Sequence, residues 1–146
     1  MMAISTLIHN VRVFDGEQLI SDHGYIVFQD GLIKDIGATD PSPLPSTDEI
    51  IDGFGCTILP GLIDAHVHSH GGARELAQTL AFGVTTVLDM FNEPEYIAEM
   101  KKESSERSDI ADIKSACHAA TVSGGWPEPI IFATIDDKEE VRLVSN

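Results

Sequence analysis

Two histidines separated by a single residue, His66 and His68, close the run Leu59-Pro60-Gly61-Leu62-Ile63-Asp64-Ala65. On a β-strand alternate side chains leave the same face, so both imidazoles project together while Ala65 and Val67 turn the other way. Their backbone positions lie about 6–7 Å apart at a rise of about 3.3 Å per residue. Neutral imidazoles at that spacing can converge on one divalent cation. The spacing alone says little, because His-x-His also arises by chance. Its setting says more: Pro60-Gly61 punctuates the start of the run and Gly71-Gly72 follows its end. The pair therefore falls at the C-terminal end of a strand, where α/β folds keep their sites.

The elements that must position this pair change character along the chain. Up to Cys56 the pattern is all β. Leu7, His9, Val11 and Val13 alternate with Ile8, Asn10 and Arg12 before a turn at Asp15-Gly16. Tyr25–Phe28 and Leu32–Ile36 flank Gln29-Asp30-Gly31, and Asp-Gly suits a type I′ hairpin because both central residues need positive φ. The Pro- and Ser-rich stretch from Asp40 to Asp48 reads as a loop, and Glu49–Gly53 as a further strand.

Beyond Cys56 strands and helices alternate. Thr57–Ala65 is expected to be one strand, followed by a helix over Ala73–Phe82 that stops at Gly83. Val84–Leu88 has the β-branched, apolar character of a strand buried on both faces. Asn92 and Glu95 have capping-box spacing ahead of a second helix carrying Tyr96, Ile97 and Met100. Ile113–Ala120 is expected to be a third strand, with a last helix from about Asp136. This is the βαβ rhythm of a parallel sheet, so the expected division is a β module over 1–56 and an α/β part over 57–146.

Composition narrows the partners. Nine basic against 24 acidic residues in 146 give a formal charge of −15, which argues against nucleic acid or an anionic membrane surface. The two cysteines, Cys56 and Cys117, have no zinc-knuckle or redox spacing. No apolar run approaches the roughly 20 residues that span a bilayer, and the N-terminus lacks a signal-peptide pattern. A reducing, cytoplasmic setting is the expectation.

The β module, the phrase from Asp52-Gly53 through Pro60-Gly61-Leu62-Ile63-Asp64-Ala65-His66-Val67-His68, and Phe82-Gly83-Val84-Thr85-Thr86-Val87 with Asp89 together resemble the amidohydrolase superfamily, nearest its imidazolonepropionase-like members. The resemblance runs to about Gly125. It implies a (β/α)8 TIM-type barrel preceded by a small β-sandwich. It implies hydrolysis of non-peptide C–N bonds, in a cyclic amide or amidine or a dipeptide-like small molecule, by a metal-activated water. His66 and His68 would be ligands of a divalent metal, with zinc the expected ion and iron, nickel and cobalt open alternatives. A barrel of this type needs about 250 residues, and about 90 follow Cys56, enough for the first three βα units. The expectation is an N-terminal portion that is inactive alone, with two of the three or four ligands zinc requires and an open barrel edge suited to self-association. The competing reading is a non-catalytic module that associates through that edge.

Four further positions invite two readings each. His70 either continues the metal face toward substrate or is an exposed loop residue. His118 is either a satisfied core histidine or lines the pocket, and Trp126, in a Gly-Gly-Trp-Pro loop similar to one near the family's barrel mouth, either contacts substrate or anchors its loop. Asp89 either orients a ligand histidine or caps the turn after its strand. Asp64 is expected to serve structure rather than catalysis.

Overall fold

The computed structural model describes residues 4–121 and 132–134, and the chain divides into two units, Met1–Pro60 and Gly61–Asn146. The first unit is a five-stranded sheet of β1 (Ser5–Phe14), β2 (Leu19–Gln29), β3 (Leu32–Gly37), β4 (Glu49–Asp52) and β5 (Thr57–Ile58). The strand order is β3-β2-β1-β4, with β5 also on β1. The β2–β3 hairpin turns at Asp30 and Gly31 with φ of 55° and 73°, the positive values that Asp-Gly predicts. Leu7, Val11, Val13 and Ile26 form the buried face. Between Ile8 and Val11 the register of β1 slips by one residue at Asn10, whose φ is 52°. Asp40 pins this bulge by accepting the Asn10 backbone N–H at 2.7 Å and facing His9 Nδ1 at 3.2 Å. The Asn10 N–H above all holds the Asp40 carboxyl below its usual range.

The second unit contains the parallel sheet β6-β7-β8, made of β6 (Leu62–Val67), β7 (Val84–Asp89) and β8 (Asp112–Ser115). Its crossovers are α1 (Gly72–Ala81) and α2 (Pro94–Glu106). A short parallel pair, β9 (Ala119–Thr121) and β10 (Phe132–Thr134), completes the described elements. Leu76, Ile97 and Met100 from the helices pack with Val87, Ile110, Ala111 and Ile113, and Val67 lies against this cluster. The helices therefore cover one face of the sheet. Ile63 on β6 remains 65% exposed. Gly83 leaves α1 at φ 86°, the left-handed exit its position predicts.

Three expectations are corrected. Thr57–Ala65 is not one strand: β5 ends at Ile58 in the first unit and β6 begins at Leu62 in the second. Pro60, which lies between them, has no N–H to continue a ladder. Ile113–Ala120 is likewise broken, because Cys117 adopts φ 66° and ends the extended run after Ser115. Asn92 and Glu95 form no capping box. Helix α2 starts with Pro94 in its first turn after Glu93, without a side-chain cap, and the Asn92 amide is used elsewhere. The helix expected from Asp136 lies outside the described residues.

The start of β6 admits no side chain at residue 61. A Cβ on Gly61 would stand 2.3 Å from Thr85 Cγ2 and 2.4 Å from its Oγ1. Gly61→Ala is expected to destabilise the second unit by about 1–3 kcal/mol, seen as a lower urea midpoint. Thr85→Ala added to it should recover part of the loss. A Gly61→Ala variant as stable as the parent would show that the two strands are not held this closely.

Candidate metal centre at the strand ends

His66 lies in β6 and His68 one residue beyond the end of that strand. Asp64 pairs with Val87 and Val67 with Asp89, so Ala65 and His66 together stand opposite Leu88. This extra residue makes a bulge, a device that re-aims side chains beside sites. The Asp64 carboxylate accepts the His66 backbone N–H at 3.1 Å. Val67 turns to the helical core, and His66 and His68 are exposed. Their ring centres lie 5.3 Å apart at an interplanar angle of 85°. Two imidazoles sharing one tetrahedral cation at about 2.0–2.1 Å per nitrogen have ring centres about 5 Å apart. The ring separation is thus that of two imidazoles on one ion. Among the described residues no group of three or more His, Cys, Asp or Glu side chains is placed to hold a metal.

The loop after His68 is tied down at each N–H from Ser69 to Gly72 and at the Ser69 carbonyl. The Ser69 N–H donates to Asp89 Oδ2 at 2.7 Å, and the Ser69 carbonyl accepts from Asn92 Nδ2 at 2.6 Å. Glu75 Oε2 accepts from both His70 N–H and Gly71 N–H, at 3.1 and 2.7 Å. Gly72 N–H donates to the Tyr96 hydroxyl at 3.0 Å. Asp89 and Ser69 are each 1% exposed. Asp89 also accepts from Ser115 Oγ at 3.3 Å, so one carboxylate joins the ends of β6, β7 and β8. Of its two expected roles it takes neither outright: it holds the backbone that follows the histidines.

The other sequence-predicted positions separate. His70 is exposed, with Nδ1 3.4 Å from Asn92 Nδ2. Phe91 packs its ring against His68 at 5.0 Å and His70 at 6.4 Å. His118 is exposed beyond β8 rather than mid-strand, its N–H donating to the Ala116 carbonyl. The left-handed turn at Cys117 puts it there. Trp126 lies outside the described residues. Sequence reading missed Ser69, Glu75 and Ser115 and gave Asn92 a capping role. Small polar residues just past strand ends were the available signal, and it is faint because they are also ordinary turn formers.

No protein-family model matches the chain. Among curated proteins it is 52% identical over 63 residues to imidazolonepropionase of Treponema denticola, covering 40% of this chain and 15% of that protein. It is 34% identical over 110 residues to adenine deaminase of Listeria monocytogenes, covering 73% of this chain and 17% of that protein. A dihydroorotase of Pelobacter propionicus matches at 31% over 80 residues, covering 55% of this chain and 18% of that protein. The chain belongs to the amidohydrolase superfamily. It spans less than a fifth of the length of these relatives, all of them enzymes. Two solved superfamily structures share the fold. The Aspergillus niger ochratoxinase aligns with 99% of this chain and 44% of its own at TM-score 0.71 and 18% identity. The Arthrobacter aurescens L-hydantoinase aligns with 95% of this chain and 37% of its own at TM-score 0.61 and 21% identity.

Replacing Asp89 tests how this superfamily chain holds its histidine loop. Asp89→Ala leaves the buried Ser69 N–H without an acceptor, a loss of about 1–3 kcal/mol. The amide hydrogen of Ser69 should then exchange at least tenfold faster. Unchanged exchange would mean that the loop is held by other contacts.

Proposed function

We propose that this chain carries the opening part of a metal-dependent hydrolase of C–N bonds in small molecules, with His66 and His68 as two ligands of a divalent cation, zinc being the expected ion. The observation that carries the reading is the imidazole pair, 5.3 Å apart, at the C-terminal end of the first parallel strand. Membership in the superfamily and the names of the relatives, which include deaminases and a dihydroorotase, support the choice of reaction. The parallel sheet β6-β7-β8 is read as the start of a (β/α)8 barrel and the first unit as part of a β-sandwich.

A cation so held supplies a Lewis acid and a water acidified toward neutral pH. The chain's own residues supply position. The bulge and the Asp64 acceptor set the His66 backbone, the Asp89–Ser69–Asn92 bonds fix the backbone directly after His68, and Phe91 limits the sweep of the His68 ring. Ligands fixed in this way lose little freedom when they bind a metal. The described residues supply two ligands where zinc takes three protein groups and water, or four protein groups. We infer that this stretch alone does not hydrolyse substrate.

The reading is tested by metal content. After incubation with zinc and desalting, the protein should retain metal, and the doubly substituted His66→Ala/His68→Ala protein less than a tenth as much. Equal zinc in both proteins, or none in either, would contradict it.

A further inference from the structure

Among the described residues, the face of the parallel sheet away from α1 and α2 carries one lysine, Lys114. On β7, Val87 and Asp89 are buried toward the helices, and on β8 Ile113 is buried while Ser115 bonds Asp89. Side chains alternate across a strand, so Leu88, Met90, Lys114 and Ala116 share the opposite face. Together with Asp89 and Ser115 they line a hollow of about 290 Å3. Since Val67 turns to the core, His66 and His68 open onto that face as well. Register aligns the groups: Leu88 pairs with Lys114, and His66 stands opposite Leu88 in the bulge. Lys114 is therefore two strands across from His66, about 10 Å at the usual strand spacing.

Position, not pairing, singles this lysine out, since Lys34, Lys101 and Lys102 also have no ion-pair partner among the described residues. The strands β6, β7 and β8 contain three aspartates and one lysine. Asp64 accepts from His66 N–H, Asp89 from Ser69 N–H, and Asp112 from Ile113 N–H and Ser104 Oγ. Lys114 has no hydrogen-bond or ion-pair partner among the described residues. Among the described residues β8 thus presents an unpaired lysine beside an apolar hollow and level with the imidazole pair.

We propose that Lys114 binds the carboxylate of the substrate, whose apolar portion rests on Leu88, Met90 and Ala116. This deepens the hydrolase reading and rests on it: the substrate class becomes small C–N compounds that carry a carboxylate and an apolar group. The ammonium on its four-carbon stem acts as a point charge. It places the scissile bond toward His66 and His68 and takes no part in bond breaking.

The test is an NMR titration of the 146-residue chain, with chelator present, using N-acetyl-L-leucine and its uncharged analogue N-acetyl-L-leucinamide. The acid should shift the backbone signals of Leu88, Met90, Lys114 and Ala116, and the amide should bind at least tenfold more weakly. Lys114→Met should weaken the acid at least tenfold, whereas Lys114→Arg should retain it. Both substitutions fall on an exposed side chain, and a dispersed spectrum verifies that each variant is folded. Absence of shifts, equal binding of acid and amide, or full binding by Lys114→Met would overturn the proposal. A separate zinc titration that leaves the His66 and His68 imidazole signals unmoved would overturn the metal reading while acid binding at Lys114 still stood.

Discussion

The buried carboxylate of Asp89 is the contact on which the arrangement at the strand ends depends. It ends the middle strand of the parallel sheet and accepts from the backbone after β6 and from the Ser115 hydroxyl at the end of β8. A carboxylate is costly to bury unless its oxygens are satisfied, and here the compensation comes from groups that would otherwise be loose strand ends. Asn92 extends the same tie by donating to the Ser69 carbonyl while its own N–H donates to the Cys117 carbonyl. The loop that follows the two histidines is thereby fastened to the end of β7 and, through Asp89 and Asn92, to the segment at the end of β8. Whatever His66 and His68 bind is presented by a backbone with little freedom to retreat.

The two faces of the sheet divide the work. Toward the helices, Leu76, Val87, Ile97 and Ile113 form an apolar core that sets the strand register. Away from them, Lys114 stands among Leu88, Met90 and Ala116, and apolar Leu62 and Ile63 stay exposed on β6. Apolar exposure on that strand is what a chain shows where further structure is to cover it. The relatives, of which this chain spans under a fifth, are long enough to supply such a cover.

Much of this was legible in the residues, wherever a local rule had a single outcome. Asp30-Gly31 could satisfy two consecutive positive φ values, and Gly83 could leave a helix left-handed. The rest depended on tertiary context. Thr57–Ala65 reads as continuous because nothing in its pattern reveals that its two halves join different sheets across Pro60. Asn92 has the spacing of a cap, yet the Ser69 carbonyl, 23 positions away in sequence, competes for its amide and wins. Cys117 breaks β8 with a positive φ that a non-glycine residue does not advertise. The histidine pair was visible in the sequence; the buried network beside it was not, since its members come from three separate segments.

The central claim is that His66 and His68 bind one cation together. X-ray absorption at the zinc edge, on the 146-residue chain loaded with one equivalent of zinc, tests it most directly. The account predicts two imidazole nitrogens at about 2.0–2.1 Å with the remaining positions filled by oxygen. A spectrum with oxygen ligands alone, or one unchanged by replacing both histidines, would contradict it.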